Sequence, residues 1–77
     1  MKVKVERYSI SKPFKKGNIT YCDRWSLNEA IGAFNLGPFG IARNCKEVIS
    51  YKSKKRLDNY ILKNNIDMNE KVEFEVR

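Results

Sequence analysis

Trp25-Ser26-Leu27-Asn28-Glu29-Ala30-Ile31-Gly32-Ala33-Phe34-Asn35-Leu36-Gly37-Pro38 is the stretch on which the fold turns. Ser26 is a good N-cap residue, and Glu29 three positions later completes a capping box. Trp25, just before the cap, is placed as a hydrophobic staple. Leu27, Ala30, Ile31 and Phe34 fall at i, i+3, i+4 and i+7 and make one apolar stripe. Gly37 can stop a helix in the left-handed conformation, and Pro38 prevents its continuation. The stretch therefore predicts a first helix.

Toward the N-terminus, residues 2–10 predict a strand. Val3 and Val5 share one face, with Lys2, Lys4 and Glu6 on the other. Tyr8 and Ile10 fall on the opposite parity, a slip that a bulge near Arg7 would repair. Residues 11–18 contain Pro13 and Gly17 and read as a loop. A strand over 19–25 follows, with Ile19, Tyr21 and Trp25 on one face. These two strands are expected to form an antiparallel hairpin with a protruding tip.

Toward the C-terminus, residues 39–52 fit either a helix capped by Asn44 or a short strand; β-branched Val48 and Ile49 with Tyr51 favour a strand near 47–52. Ser53 caps a helix over 54–64, with Leu57, Tyr60 and Ile61 on one face. Residues 71–77 alternate Val72, Phe74 and Val76 with Lys71, Glu73, Glu75 and Arg77 and predict a last strand. Lys2 and Lys4 on the first strand suit Glu73 and Glu75 on the last. Opposite charges across a strand pair are worth a few tenths to about 1 kcal/mol, so the terminal strands are expected to be neighbours. The expected fold is α+β: a small, mainly antiparallel sheet with two helices on one face, in the order β-β-α-β-α-β. Trp25, Tyr21, Phe34, Phe39 and Tyr60 are expected in its core.

The chain has 77 residues, which is one domain with a modest core. No repeat, low-complexity tract or linker divides it. Its two cysteines, Cys22 and Cys45, and its lack of histidine exclude a four-ligand Cys/His zinc site within one chain. The start, Met1-Lys2-Val3-Lys4-Val5, is unlike a secretory signal, so a cytoplasmic, reducing setting with two free, partly buried thiols is expected. No apolar run approaches membrane-spanning length.

Enzymatic chemistry is poorly provided for. The commonest general base is absent. Cys22 lies beside Arg24, but a cysteine is more often a small core residue than a nucleophile. Glu73/Glu75 and Asp67/Glu70 read as solvated charge. No catalytic residue, metal or cofactor is expected.

Sixteen Lys/Arg against nine Asp/Glu give a net charge of +7, a field that draws polyanions. Two cation clusters could use it. Lys12, Lys15 and Lys16 surround Phe14 on the expected hairpin tip, with lysines for phosphates and an aromatic ring to stack on an unpaired base. Lys52, Lys54, Lys55 and Arg56 crowd the start of the last helix, where the dipole disfavours cations, and Lys63 continues along its side. A docked anion would relieve that conflict. Gly37-Pro38-Phe39-Gly40 has the Gly-x-x-Gly spacing of a KH loop, but Pro38 and Phe39 stand where a basic residue would help, and a helix stop and a turn explain both glycines. A helix-turn-helix reading fails because Arg43 falls at an apolar core position.

The expectation is thus a non-enzymatic basic module that contacts nucleic acid or a nucleoprotein through Lys12, Phe14, Lys15, Lys16, Lys52, Lys54, Lys55, Arg56 and Lys63. The alternative is a protein inhibitor of the phage or mobile-element kind, anti-CRISPR-like by analogy of class, that blocks a host nucleic-acid-handling protein. A membrane-surface role is disfavoured, because neither expected helix has a large exposed apolar face. An exposed edge strand pairing between copies would instead make a homodimer.

Overall fold

The segment read as a first helix is a strand. The computed structural model describes residues 1–76 and contains seven strands and one α-helix. The strands are β1 (Lys2–Glu6), β2 (Tyr8–Ser11), β3 (Phe14–Lys16), β4 (Ile19–Cys22), β5 (Trp25–Asn35), β6 (Ile41–Tyr51) and β7 (Lys71–Glu75); α1 spans Lys54–Lys63 between β6 and β7. All pairings are antiparallel, in three sheets: β1 with β7, β2-β5-β6, and β3 with β4. The two-helix order β-β-α-β-α-β is therefore wrong, and the molecule is mostly strands.

The helical spacing in Leu27–Phe34 has a strand origin. β5 is the central strand, paired to β2 on one side and β6 on the other. Leu27 and Ala30 are both buried although their parity differs. A strand covered on both faces loses the clean alternation that identifies strands, and its apolar residues can then mimic period 3.6. The other two members of the stripe, Ile31 and Phe34, are exposed. The ladder between β5 and β6 slips at Ile31, which has no partner in β6, and again at Val48, which has none in β5. Gly32 and the short polar residues Ser26, Asn28 and Asn35 are also weak helix formers.

The glycines and proline after Phe34 make a hairpin turn instead of a helix stop. A short 3₁₀ turn, Gly37–Phe39, joins β5 to β6. Asn35 Oδ1 accepts the Gly37 N–H at 2.8 Å, and the Leu36 N–H donates to the Gly40 carbonyl at 2.7 Å. Gly37 and Gly40 have φ of +67° and +97°, in the left-handed region that only glycine enters cheaply.

The expected slip at Arg7 marks a change of partner. β1 pairs with β7 up to Glu6↔Lys71, and β2 then pairs with β5 from Tyr8↔Glu29. Between them, the Arg7 N–H donates to the Glu70 carbonyl and the Arg7 carbonyl accepts the Ala30 N–H. The Arg7 guanidinium closes the junction, with ion pairs to Glu70 at 2.7 Å and Glu29 at 2.8 Å. These two hydrogen bonds, Glu70 first, raise the Arg7 pKa above its ordinary value. Because Arg7 is charged at any neutral pH, its own ionisation adds no pH dependence there; the contribution of its raised pKa falls away as strong alkali deprotonates it.

The expected hairpin between residues 2–10 and 19–25 does not form. β2 goes to β5, and the intervening loop contains its own strand, β3, which pairs locally with β4 around Gly17 and Asn18. The terminal strands do pair, with Lys2 opposite Glu75 and Lys4 opposite Glu73. Arg77 lies outside the described residues. The strand near 47–52 is the second half of the longer β6, and the helix over 54–64 is α1 with Ser53 and Asn64 as its caps.

The core is small. Among the described residues, Leu27, Ala30, Leu57 and Val76 are the buried apolar ones, and Leu57 anchors α1 over β5 and β6. Buried Ser26 is satisfied by a 2.8 Å hydrogen bond to Glu47. Three of the aromatics expected in the core are exposed: Tyr21, Phe34 and Phe39, the last at 87%. Trp25 and Tyr60 are half-buried. The molecule measures 39 × 35 × 15 Å, and its radius of gyration is 14.4 Å. A compact chain of this length would have about 11 Å. A plate this thin has little interior for large side chains.

Candidate nucleic-acid interface

Helix α1 presents Arg56, Asn59, Tyr60 and Lys63 at i, i+3, i+4 and i+7, so these four lie on one side of it. The adjoining side, next to Tyr60, carries Leu57 into the core. Tyr51, the last residue of β6, stands beside Tyr60, their ring centroids 6.4 Å apart and tilted by 53°. With Asn64 at the helix end, these residues line an open pocket of about 490 Å³. It combines two aromatic rings, two cations and two side-chain amides. One amide is committed in part, because Asn64 Nδ2 donates to the Tyr60 carbonyl at 2.9 Å.

Arg56 and Lys63, both expected as site residues, thus come together. Neither has a carboxylate within ion-pair distance among the described residues. Lys63 lies in the last helical turn, where the dipole favours a cation, whereas Arg56 lies in the first, where it does not. No acid occupies the first turn, and the Ser53 side chain caps no backbone N–H. Lys52 and Lys55 are exposed at this same start, likewise without ion pairs among the described residues. Lys54 differs from them. It pairs with Asp58 at 3.5 Å and sits 5.8 Å from the centroid of the Trp25 ring, so its charge is already engaged.

Lys12, Phe14, Lys15 and Lys16 are all exposed, the three lysines without ion pairs among the described residues. Phe14 stacks obliquely on Tyr21 across its own hairpin, at 5.5 Å between centroids. Both rings remain more than half exposed, as does Ile19. The hairpin is not part of the α1 pocket, but topology brings its base near. Phe14 pairs with Cys22, Trp25 pairs with Tyr51, and Arg24 between them donates to Ser50 Oγ at 2.9 Å. The hairpin and the start of α1 therefore leave the same end of the β5–β6 ladder.

A second hollow, about 660 Å³, lies between Ile10 of β2 and Ile61, Leu62 and Met68. It is larger and more apolar, and its charged lining residues are Asp58 and Asp67. No cation lines it, and the two carboxylates would repel an anion.

Tyr51, Asn59, Tyr60 and Asn64 were not foreseen as site residues. The helical spacing from Arg56 to Lys63 was the available signal for two of them. Assigning Tyr60 to the core, with Leu57 and Ile61, concealed it.

Cys22 and Cys45 are free. Cys22 is half-buried and its thiol donates to the Arg24 carbonyl at 3.4 Å; Cys45 is exposed, contrary to the expected partial burial. No cluster of three His, Cys, Asp or Glu groups capable of holding a metal occurs among the described residues. No described helix is long and apolar enough to cross a membrane. Comparison with family models, curated proteins and solved structures returns no match.

Proposed function

We propose that this chain is a non-enzymatic module that binds single-stranded nucleic acid at the α1 pocket. The observation that carries the reading is the joining of Tyr51 and Tyr60 with Arg56 and Lys63 in one open site. Cations without carboxylate partners suit phosphates, and each phosphate neutralised releases counterions. Tyrosine rings suit unpaired bases, which stack on them whatever their identity. The Asn59 amide is available to a base edge. Lys52 and Lys55 extend the positive surface beyond the pocket. Lys12, Lys15 and Lys16, with the Phe14–Tyr21 pair, offer a second cationic and aromatic surface for the same strand.

A labelled oligonucleotide tests this by fluorescence anisotropy. Binding is expected to weaken linearly in log–log coordinates as salt rises, by about 0.7 per phosphate contacted. Absence of binding to DNA and RNA oligonucleotides at low salt would refute the reading.

A protein-binding inhibitor of the kind described above is favoured by one observation. The tip of the β5–β6 hairpin exposes Phe34, Leu36, Phe39 and Ile41 together, an apolar surface of the sort a protein partner covers. A stoichiometric protein complex that survives nuclease treatment and is lost in Phe39→Asp, but not when Arg56 and Lys63 are replaced by Ala, would favour it over nucleic-acid binding.

A further inference from the structure

Strand β6 ends the β2-β5-β6 sheet, and its outer edge is unpaired among the described residues. Residues Asn44, Cys45, Lys46, Glu47 and Val48 on it are all exposed. The direction of its backbone groups follows from β5. The Ala30 N–H donates to the Arg7 carbonyl, on the side away from β6. In an antiparallel ladder, residues opposite one another turn their N–H and C=O groups either both inward or both outward. Cys45 is opposite Ala30, so its groups also turn outward, to the free edge. Alternation places those of Arg43 and Glu47 beside them, and those of Asn44 and Lys46 toward β5.

We propose that this edge pairs with the same edge of a second copy of the chain, antiparallel about a two-fold axis through Cys45. An isologous contact requires a self-complementary strand, and this one qualifies. The register sets Cys45 opposite its own copy and Arg43 opposite Glu47 twice. Asn44 faces Lys46 twice, and the regular pairing ends at Glu47, before the bulge at Val48.

Other registers within Arg43–Glu47 are worse. An axis through Arg43, Lys46 or Glu47 sets two like charges directly opposite, which repel. One through Asn44 leaves Arg43 against Cys45 and Glu47 against Ile41. An axis between two residues sets an outward residue against an inward one, and no ladder forms.

The groups needed are available. Arg43 uses one nitrogen, Nη1, on the Glu6 carbonyl at 3.0 Å, and Glu47 uses Oε1 on Ser26. The remaining nitrogens of Arg43 and Oε2 of Glu47 have no partner among the described residues. The Val48 bulge limits the regular part of the ladder to the segment that carries the charge pairs. The +7 net charge opposes association in general, but Arg43, Lys46 and Glu47 are the only charged residues of β6, so the edge itself is nearly neutral. The product is a continuous six-stranded sheet, which compensates a protomer with so small a core.

Sedimentation equilibrium of the full chain in reductant, at about 100 µM, is expected to give twice 9.1 kDa. Arg43→Glu and Glu47→Arg are each expected to weaken the dimer about tenfold or more, and the double exchange to restore it. Those side chains also make contacts within the protomer, so a chain carrying only Cys22→Ser supplies an independent readout. Hydrogen-bonded neighbours across such a ladder have Cα atoms about 5.5 Å apart, within disulfide reach, so a mild oxidant should join two copies through Cys45. With the thiol moved to position 39, at the hairpin tip, by Phe39→Cys and Cys45→Ser in the same Cys22→Ser chain, joining should be slow. A chain that stays at 9.1 kDa, a dimer indifferent to both charge reversals, or a Cys45 that joins no faster than the thiol at position 39 would overturn the proposal.

Discussion

Tyr60 and Lys54 show how differently neighbouring polar or aromatic residues of one helix are employed. Tyr60 faces an open pocket, whereas Lys54 is held by Asp58 and the Trp25 ring. Tyr60→Ala should weaken oligonucleotide binding by about 1–3 kcal/mol, the usual worth of one base stack, and Tyr60→Phe should retain most of it. Anisotropy titration at one salt concentration decides this. Lys63→Ala should reduce the magnitude of the salt slope by about 0.7, whereas Lys54→Ala should leave it nearly unchanged. Leu57 shows the third use of the helix. It is fully buried, and Leu57→Ala should cost about 2–5 kcal/mol by urea unfolding, enough to endanger a fold with so few buried side chains.

At the scale of elements, the β5–β6 hairpin dominates, and its tip depends on backbone conformation. Gly40 has φ of +97°, and an added Cβ would meet nothing within 4 Å. Gly40→Ala should therefore destabilise through strain alone, by about 1 kcal/mol or more in thermal unfolding. Legibility in the sequence followed how each element is buried. β1 and β7 alternate because one face of each is half-buried and the other exposed, and their complementary charges pointed to their pairing. α1 was readable from Ser53, Leu57 and Asn64. β5 was not, because its burial on both faces removes period 2, and Ser26 with Glu29 resembles a capping box. In the folded chain Ser26 bonds Glu47, and Glu29 bonds Arg7. The same misreading hid the partner exchange at Arg7, since β2 can only reach β5 if β5 is a strand. Of the candidate site, the cations were visible as composition. The pocket was not, because Tyr51 comes from the end of β6 and meets Tyr60 only through the turn at Ser53.

As a whole, the molecule is a thin, positively charged plate whose lysine clusters are largely unpaired. Its long-range attraction for polyanions should fall with added salt, while contacts in the Tyr51–Tyr60 pocket depend on unstacked bases. Single-stranded probes should therefore bind more tightly than a duplex of the same length and sequence. The most direct measurement is the salt dependence of anisotropy for one fluorescent single strand with the unaltered chain and with Arg56 and Lys63 both replaced by alanine. The account predicts a steep negative slope for the first, shallower by about 1.4 for the second. Parallel slopes, or no binding by the unaltered chain at low salt, would contradict it.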